Sequence, residues 1–557
     1  MHHSRGALHG ENIAYFSMEI GLVNEIPTYA GGLGTLAGDT VKSSADLKLP
    51  LVAVTLASRD GTFRQELDER GKQTEHPIEW DPADLLEPLD QVVTVQIEGR
   101  GVKVRAWLYE LLSLTGGKVP VLFLDTDLDG NDSVDRKITS HLYGGDDRYR
   151  LKQEMVLGIG GLRILDALGF RIRKYHMNEG HSSLLALELL QRSEMDEGAV
   201  KDMCVFTTHT PIEAGHDKFS YDLVREVMGE ENVQVLKKFG GSQRLNMTLL
   251  ALNLSEYVNG VAKRHRDVSQ EMFPGYKINA VTNGVHSYTW TCPAFRELYD
   301  RYLPGWANEP ELLVRVDIIP DDLIVEAHET AKRDLIDRVK DSTDFEMDPE
   351  VLTLGFARRA TEYKRPNLLF SDLDRLRRIS SKGKIQVVMA GKAHPKDEGG
   401  KRLIEEIFRH AEALRGEIPV AYLENYDMEL AAKMVAGVDV WVNTPLRPRE
   451  ASGTSGMKAA HNGVINFSVL DGWWIEGWIE GVTGWAIGPE PGERISLEEG
   501  WQRDREDLYS KLEYIIVPTF YNRKDEWVRM MNNSIGVLAY YFNTHRMMRR
   551  YVTEAYL

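Results

Sequence analysis

Short apolar stretches alternate with helical patterns along this chain, and this alternation restricts the fold more than any other feature. Stretches rich in β-branched and aromatic residues predict strands at 48–58, 118–127, 203–210, 351–358, 384–392, 418–426 and 437–445. Amphipathic patterns between them predict helices, as at 181–197 and 401–416. Strands that alternate with helices form parallel sheets. The sequence therefore predicts an α/β fold.

The length of the chain predicts two domains. At 557 residues it exceeds what one hydrophobic core usually organises. The alternation occurs in both halves and pauses at 278–290, INAVTNGVHSYTW, which is rich in turn-forming residues. Ligands of open α/β sheets bind beyond the carboxyl ends of the strands. We therefore expect a ligand in a cleft between two such domains, contacted by residues that directly follow strands.

Charge and composition exclude several classes of protein. The chain has 67 basic and 85 acidic residues, and its net charge of −18 argues against a nucleic-acid-binding surface. No stretch reaches the ~18 apolar residues of a membrane span, and the N-terminus lacks the apolar core of a signal peptide. Two cysteines, Cys204 and Cys292, are too few for a disulfide framework. We expect a cytoplasmic protein that binds neither nucleic acid nor membranes.

Three glycines precede a predicted helix in AGGLGTLAGD, residues 30–39. Glycine lets backbone N–H groups approach a phosphate closely, and the N-terminus of a helix adds partial positive charge. Glycine-rich turns are also common as ordinary connections. On its own, the loop is therefore equally compatible with a structural role.

Four cations follow a predicted strand in FARRATEYKRP, and they are Arg358, Arg359, Lys364 and Arg365. Guanidinium and ammonium groups both bind phosphate oxygens. A solvated basic turn is the usual alternative for such a run. The position after a strand, with Tyr363 inside the run, favours an anion pocket.

Two histidines stand at the ends of predicted strands, His181 in MNEGHSS and His209 in TTHTP. A single histidine in such a place is more often a hydrogen-bonded structural residue than a catalyst, but two at separate strand ends favour a functional role. No HExxH or paired-cysteine motif accompanies them, so we expect no metal site.

Small residues dominate EASGTSGMKAAHNG, residues 450–463, which follows the predicted strand at 437–445. They leave backbone amides and hydroxyls accessible to a ligand, and Lys458 stands about one turn into the helix that they begin. A lysine in this position can attach covalently to an aldehyde cofactor. Local composition alone, however, favours an ordinary surface lysine.

This run closely resembles the pyridoxal-phosphate attachment sequence of the α-glucan (glycogen, starch, maltodextrin) phosphorylases, in which the lysine after methionine carries the cofactor. Further matches follow the family's order along nearly the whole chain: YFSMEIG with GGLG, MNEGH, THTP, VNGVAKRH, VTNGVH, RRATEYKR, LENY and DGWWIEG. The C-terminal sequence from VPTFYNRKDEW onward looks most like the short bacterial and archaeal branch. The lysine motif is highly specific, and the shared order of the others argues against chance.

The resemblance implies a GT-B glycosyltransferase fold, in which two Rossmann-like domains face a central cleft. It implies an N-terminal domain at 1–280, a C-terminal domain with the cofactor and phosphate sites at 281–530, and a helical segment at 531–557 that crosses back. The implied reaction is reversible phosphorolysis of α-1,4-glucans, which releases glucose 1-phosphate with retained configuration. The implied cofactor is pyridoxal 5′-phosphate, whose phosphate serves as the proton relay. Oligomeric state, including a homo-oligomer, stays open.

Site residues carried over from the family fall into three groups. Those implied in catalysis are Lys458, Arg359, Lys364 and His209, with Arg359 and Lys364 on the substrate phosphate. Those implied beside the cofactor are Lys458, Arg358, Gly32, Leu33, Gly34, Thr454 and Tyr426. Those implied on sugar hydroxyls are His209, Asn283, Tyr363, Glu450, Ser452 and Gly453.

His461 departs from the family pattern, because leucine or methionine usually stands three residues after the cofactor lysine. We expect this polar ring to pack beside the cofactor helix and alter the pocket without transferring protons. The chain is also far shorter than the animal and plant enzymes, so we expect their N-terminal phosphorylation and nucleotide-control segments to be absent.

Two other functions stay open at this point. A retaining nucleotide-sugar glucosyltransferase of the same fold would use the glycine loop and the cation run but would leave Lys458 without a cofactor. A glucan-binding protein that has lost catalysis would retain glucan and release no glucose 1-phosphate. No carboxylate pair stands out as the nucleophile and acid of a glycoside hydrolase.

Overall fold

The chain folds as two compact units. The computed structural model describes residues 11–78, 80–493 and 495–557. The first unit runs to Phe63 and resumes at Pro77–Thr282 and Met547–Leu557, and the second contains Arg64–His76 and Asn283–Arg546. The predicted limits place 64–76 in the N-terminal domain and 531–546 in the separate C-terminal segment, whereas both belong to the second unit.

The first unit is built on a nine-stranded sheet. Its strands, in spatial order, are Asn279–Ala280, Tyr257–Gly260, Cys204–Thr207, Arg171–Asn178, Glu11–Ser17, Leu51–Leu56, Lys118–Asp125, Arg100–Leu112 and Glu87–Ile97. The strands from Asn279–Ala280 through Lys118–Asp125 run parallel to one another. Arg100–Leu112 is antiparallel to both of its neighbours, Lys118–Asp125 and Glu87–Ile97, and forms a hairpin with the latter.

This hairpin corrects the expectation of parallel strands throughout. Its strands meet at Glu98 and Gly99, which both have positive φ, of 52° and 72°. Two successive residues of positive φ make the tight turn that suits the twist of a hairpin. A pattern search for strands followed by helices overlooks such a pair, because no helix intervenes.

Helices cover both faces of this sheet. Tyr15 and Phe16 are neighbours on one strand, yet they belong to two different buried clusters. Because successive side chains of a strand point to opposite faces, both faces are buried. The strand Leu51–Leu56 is accordingly buried at every position.

The second unit is built on a six-stranded sheet that is parallel throughout. Its strands, in spatial order, are Val420–Leu423, Ile385–Ala390, Leu352–Ala357, Val440–Asn443, Ile465–Val469 and Gly484–Ile487. Val387 and Val388, neighbours on one strand, again belong to different buried clusters. This sheet is therefore also covered on both faces.

The α-helices connect these strands. They are Gly32–Asp46, Pro82–Leu85, Asp147–Met155, Gly161–Ala167, Leu184–Arg192, Glu197–Met203, Tyr221–Met228, Glu230–Gly240, Met247–Asn253, Lys263–Met272, Ser287–Trp290, Pro293–Tyr302, Asp321–Ser342, Leu373–Lys382, Glu398–Ala413, Met428–Gly437, Ser455–Ala460, Trp474–Gly477, Leu497–Lys511, Val517–Asn522, Lys524–Asn533 and Thr544–Tyr551. Within the described ranges, none is long and apolar enough to cross a bilayer.

The predicted elements are confirmed with somewhat different bounds. All seven predicted strands are present, each shorter than its apolar stretch. The helix predicted at 401–416 is Glu398–Ala413. The helix predicted at 181–197 ends at Arg192, because Glu194 and Met195 take positive φ and cannot continue it.

Candidate active site

The carboxyl ends of two neighbouring strands in the second unit bring the predicted cations together. Leu352–Ala357 leads directly into Arg358, and Val440–Asn443, which pairs with it, leads into the loop that contains Glu450. Because parallel strands end at the same edge of a sheet, residues far apart in sequence meet there.

Glu450 joins two of the cations. Its Oε2 atom accepts hydrogen bonds from Arg358 Nη1 at 2.6 Å and from Lys364 Nζ at 2.7 Å. Burial alone would raise the pKa of the Glu450 carboxyl, but the charges of Arg358 and Lys364 outweigh it and lower that pKa to about 2. Glu450 is therefore ionised at neutral pH. Two positive charges, the buried Lys364 and the half-buried Arg358, face one negative charge, which leaves this cluster suited to an added anion.

Asp471 holds the backbone of the Glu450 loop. Its Oδ2 atom accepts the Glu450 N–H at 2.9 Å, and its Oδ1 atom accepts the Gly472 N–H at 3.0 Å. Gly472 has a φ of 56°, and a side chain there would collide with the carbonyl oxygen of Ser452. Burial raises the pKa of the Asp471 carboxyl to about 7. The loop is thus fixed by the first residue of DGWWIEG, a role that the motif alone does not reveal.

The remaining cations of the run differ in their surroundings. Arg359 is exposed and forms no ion pair with any carboxylate in the described part of the chain. Arg365 is buried, takes a left-handed φ of 47°, and donates to the Thr444 carbonyl at 2.9 Å and to Asp504 Oδ2 at 2.6 Å. The expectation of four cations in one pocket is therefore wrong for Arg365, which supports the turn.

Lys458 is buried, contrary to what local composition favours. It is the fourth residue of helix Ser455–Ala460 and is 8% exposed. Its Nζ atom lies 3.6 Å from the centre of the Trp290 ring. Trp290 stands at the end of the turn-rich segment, and no periodicity in the sequence identifies it as a site residue. The structure therefore places a primary amine against an aromatic face.

The small residues before Lys458 are required by space and by backbone conformation. A side chain on Gly456 would collide with Asn466 and approach Trp473 to 2.8 Å. Gly453 has a φ of 70°, which favours glycine. The Thr454 carbonyl accepts the Lys458 N–H at 3.2 Å and so begins the helix.

His461 ties the Lys458 helix to the segment that contains Trp290. Its Nδ1 atom lies 2.8 Å from the Met457 carbonyl oxygen, and its Nε2 atom lies 2.8 Å from Ser287 Oγ. Because a carbonyl only accepts, Nδ1 carries the proton and Nε2 accepts from the serine. The neighbouring Asn462 donates to the Trp290 carbonyl at 2.8 Å.

Three other predicted site residues lie in the second unit. Two of them are close to Arg358 or Lys364, and the third has a buried polar atom without a hydrogen-bond partner in the described residues. Tyr426 is close enough to Arg358 for their charges to shift each other's pKa. The Lys364 ammonium lies 4.4 Å from the centre of the Tyr363 ring. Asn283 is buried, and its Oδ1 atom has no hydrogen-bond partner among the residues described. A buried acceptor of this kind suits a ligand hydroxyl.

In the first unit, a carboxylate fixes the glycine loop. Glu19 Oε2 accepts the N–H groups of Ala30 at 2.6 Å and Gly31 at 3.2 Å, just before helix Gly32–Asp46. Glu19 Oε1 accepts from the Tyr143 hydroxyl at 2.9 Å. The structure thus supplies a reason for the loop sequence that composition alone does not reveal.

Gly34 is the glycine that this contact requires. A side chain on Gly34 would lie 2.7 Å from Glu19 Oε2. Gly32, by contrast, faces open space and is exposed, and Leu33 is half-buried. The start of the helix is therefore accessible while its backbone is held in place.

His209 is a neutral, hydrogen-bonded ring. Its Nε2 atom lies 2.6 Å from Asn178 Oδ1, and its backbone N–H donates to Glu179 Oε2 at 2.7 Å. Burial lowers the pKa of the His209 imidazole to about 3. Burial lowers the pKa of His181 to about 3 as well. Within residues 11–78, 80–493 and 495–557, no group of three or more His, Cys, Asp or Glu residues could hold a metal ion.

Comparison with known proteins gives consistent matches. Residues 200–481 match the sequence profile of the family described as carbohydrate phosphorylase. Over 98% of its length the chain is 39% identical to the maltodextrin phosphorylase of Thermococcus litoralis, of which it covers 70%. Over the same share it is 36% identical to a glycogen phosphorylase of Mycobacterium tuberculosis, of which it covers 70%. It is 35% identical to the glycogen phosphorylase of Aquifex aeolicus, with 98% of the chain and 86% of that protein covered.

Proposed function

The chain belongs to the carbohydrate phosphorylase family, and we propose that it catalyses the reversible phosphorolysis of α-1,4-glucans such as glycogen, starch or maltodextrins. The product is glucose 1-phosphate with retained configuration. The names of the relatives support the reaction and the class of substrate. The observation that carries the proposal is the buried Lys458 amine against Trp290.

The proposed fold is of the GT-B class, and two units that each have their own mostly parallel sheet support it. The proposed domains keep the limits that the resemblance implies, 1–280, 281–530 and 531–557, although the compact units depart from them at 64–76 and 531–546. We place the protein in the cytoplasm, since both cysteines are free thiols.

Pyridoxal 5′-phosphate fits the residues of the second unit. Lys458 offers a buried primary amine, and Trp290 offers an aromatic face beside it. Arg358 offers a positive charge. Gly453 and Thr454, which directly precede helix Ser455–Ala460, have small side chains or none and leave room for a ligand. When bound, this cofactor supplies a phosphate that can exchange a proton with a neighbouring phosphate. The chain's own part is to hold that group and to offset its charge.

Cations are needed because two phosphates in contact repel each other. Their repulsion raises the second pKa of at least one phosphate and makes proton sharing near neutral pH feasible. We assign Arg359 and Lys364 to the substrate phosphate, with Arg358 near the phosphate of the cofactor. Glu450 holds Lys364 and Arg358 together at 2.7 Å and 2.6 Å.

Sugar hydroxyls are assigned to neutral hydrogen-bonding groups. Asn283 Oδ1 is a buried acceptor without a partner in the described residues, and it suits a hydroxyl donor. The neutral His209 ring serves as a hydrogen-bonding group rather than an acid. Tyr363, Ser452 and Gly453 complete the proposed set.

The test is whether purified protein releases glucose 1-phosphate from maltoheptaose and inorganic phosphate. We expect release, and we expect the spectrum to show bound pyridoxal phosphate. Transfer of glucose from a nucleotide sugar, without bound cofactor, would favour the glucosyltransferase. Retention of glucan with no product under any condition would favour a binding protein.

His461→Leu is expected to preserve most of the activity while lowering stability. The substitution removes the hydrogen bonds to Met457 and Ser287, which costs about 1–3 kcal/mol of unfolding free energy. A 100-fold or larger loss of kcat, about 2.7 kcal/mol of barrier, would instead show a direct role in the reaction.

The stability cost of His461→Leu is expected to shrink as pH falls. Burial lowers the pKa of His461 to about 4 in the folded chain, whereas an unfolded histidine titrates near 6.5. Between these values the unfolded chain binds a proton that the native chain does not, so His461 contributes less stability at lower pH. Melting temperatures of both proteins between about pH 7.5 and 5 measure this difference. A constant gap would contradict it.

A further inference from the structure

The parallel ladder of the second sheet continues beyond its assigned strands. The register pairs Ala357 with Ala390, and past it the Arg358 N–H donates to the Ala390 carbonyl at 3.2 Å. The Ala360 N–H then donates to the Lys392 carbonyl at 3.0 Å. These two bonds keep the register and set Arg359 beside Lys392. Paired residues of adjacent strands point to the same face of a sheet.

Two buried glutamines hold the residues on either side of Lys392. They belong to the hairpin formed by Phe63–Leu67 and Gln73–Pro77. Gln65 Nε2 donates to the Gly391 carbonyl at 3.0 Å. Gln73 binds Ala393 twice, accepting its N–H at 3.0 Å and donating to its carbonyl at 2.9 Å.

The glutamines are themselves fixed. Gln65 Nε2 also donates to Gln73 Oε1 at 2.9 Å, and the two side chains are 0% and 5% exposed. On the side of Lys392 away from the glutamines, the chain packs closely against the neighbouring strand, because a side chain on Gly391 would collide with the Arg358 carbonyl. The backbone of Lys392 is therefore held from both sides.

Lys392 and Arg359 are like charges on neighbouring positions. Like charges that stand directly opposite each other on a sheet are destabilising. Lys392 is half-buried, and burial lowers the pKa of its ammonium to about 8, although the charge of Asp427 acts in the opposite direction. Arg359 has no carboxylate partner in the ranges described. An anion between the two would remove their repulsion.

We propose that Lys392 is a further phosphate-binding residue, which with Arg359 forms a two-cation seat whose backbone is positioned by Gln65 and Gln73. This proposal rests on the proposed function. Its ligand is a phosphate group, which can come from inorganic phosphate or from the cofactor. Neither the cation run nor the lysine motif contains Lys392, which follows another strand.

The test compares Lys392→Met, which removes the charge, with Lys392→Arg, which keeps it. The full-length enzyme is assayed for phosphorolysis of maltoheptaose with varied inorganic phosphate. We expect Lys392→Met to raise the KM for phosphate at least tenfold, and Lys392→Arg to restore it to within about threefold. The KM for maltoheptaose is expected to stay unchanged. Lys382→Met is the matched control, because Lys382 is an exposed lysine of the same unit.

The two sources of phosphate give different results. A raised KM for phosphate with full cofactor content identifies the substrate phosphate as the ligand. A lower content of pyridoxal phosphate with an unchanged KM identifies the phosphate of the cofactor. If folded Lys392→Met keeps both the wild-type KM for phosphate and the wild-type content of pyridoxal phosphate, the proposal is overturned. Should Lys392→Met fail to fold, Lys392→Gln removes the charge with a polar side chain and is read in the same way.

The proposal and the proposed function can fail separately. If the wild-type protein releases no glucose 1-phosphate, the function is wrong, and phosphate binding is then measured by titration calorimetry on wild type and Lys392→Met. Weaker phosphate binding by the variant would still support the seat. Equal binding by both proteins would contradict it.

Discussion

Lys458→Ala is expected to give a folded protein that contains no pyridoxal phosphate and releases no glucose 1-phosphate. The lysine lies within helix Ser455–Ala460, where alanine is the most favourable residue. The variant loses the contact between the ammonium and Trp290, which contributes about 0.5–2 kcal/mol. This cost is small beside the loss of the attachment point.

Cofactor content, product release and melting temperature together test this expectation. Lys433→Ala is the control, because Lys433 is a partly exposed helical lysine of the same unit that pairs with Asp334. It should retain both cofactor and activity. Full activity of Lys458→Ala without added cofactor would refute the assignment of Lys458.

Arg359→Ala and Lys364→Ala are each expected to cost about 2–4 kcal/mol of transition-state stabilisation, because a positioned charge on the substrate phosphate is lost. The KM for phosphate should rise and kcat should fall, whereas glucan affinity measured without phosphate should barely change. Cofactor content should change much less than activity. Phosphate-dependent initial rates of phosphorolysis provide the measurement.

The two variants should differ in stability. Arg359 is exposed and has no ion pair in the described residues, so Arg359→Ala should melt like wild type. Lys364 is paired with Glu450, so Lys364→Ala leaves that buried carboxylate with Arg358 alone and should melt lower. Arg415→Ala, on an exposed arginine paired with Glu412, is the control. Near-unchanged phosphate kinetics in both site variants would end the phosphate assignment.

Local patterns in the sequence predict much of the fold. Apolar stretches identify strands such as Leu352–Ala357, because a strand covered on both faces needs a continuous apolar run. The hairpin of Arg100–Leu112 and Glu87–Ile97 is missed, because its strands are joined by a tight turn rather than a helix. The alternation of apolar runs and helices therefore predicts the parallel strands of the first sheet but not its antiparallel edge.

The site is predicted only where a motif is local. The run that contains Arg358 and Lys364 follows a strand and is recognisable, but their shared partner Glu450 lies more than 80 residues away. Arg365 shows the limit of counting charges, because its αL backbone and its bond to Asp504 remove it from the pocket. Trp290 and Lys458 also meet only through the tertiary fold.

Trp290 and Lys458 are linked by bonds that join their two segments. His461 and Asn462 connect the lysine helix to Ser287 and to the carbonyl of Trp290 itself. These bonds hold the two segments that place the indole and the amine 3.6 Å apart. A chromophore attached to the amine would lie against that indole and quench its emission. The chain has 11 tryptophans, so a fall in its total tryptophan emission, to which Trp290 contributes, would report occupancy of Lys458 without an added label.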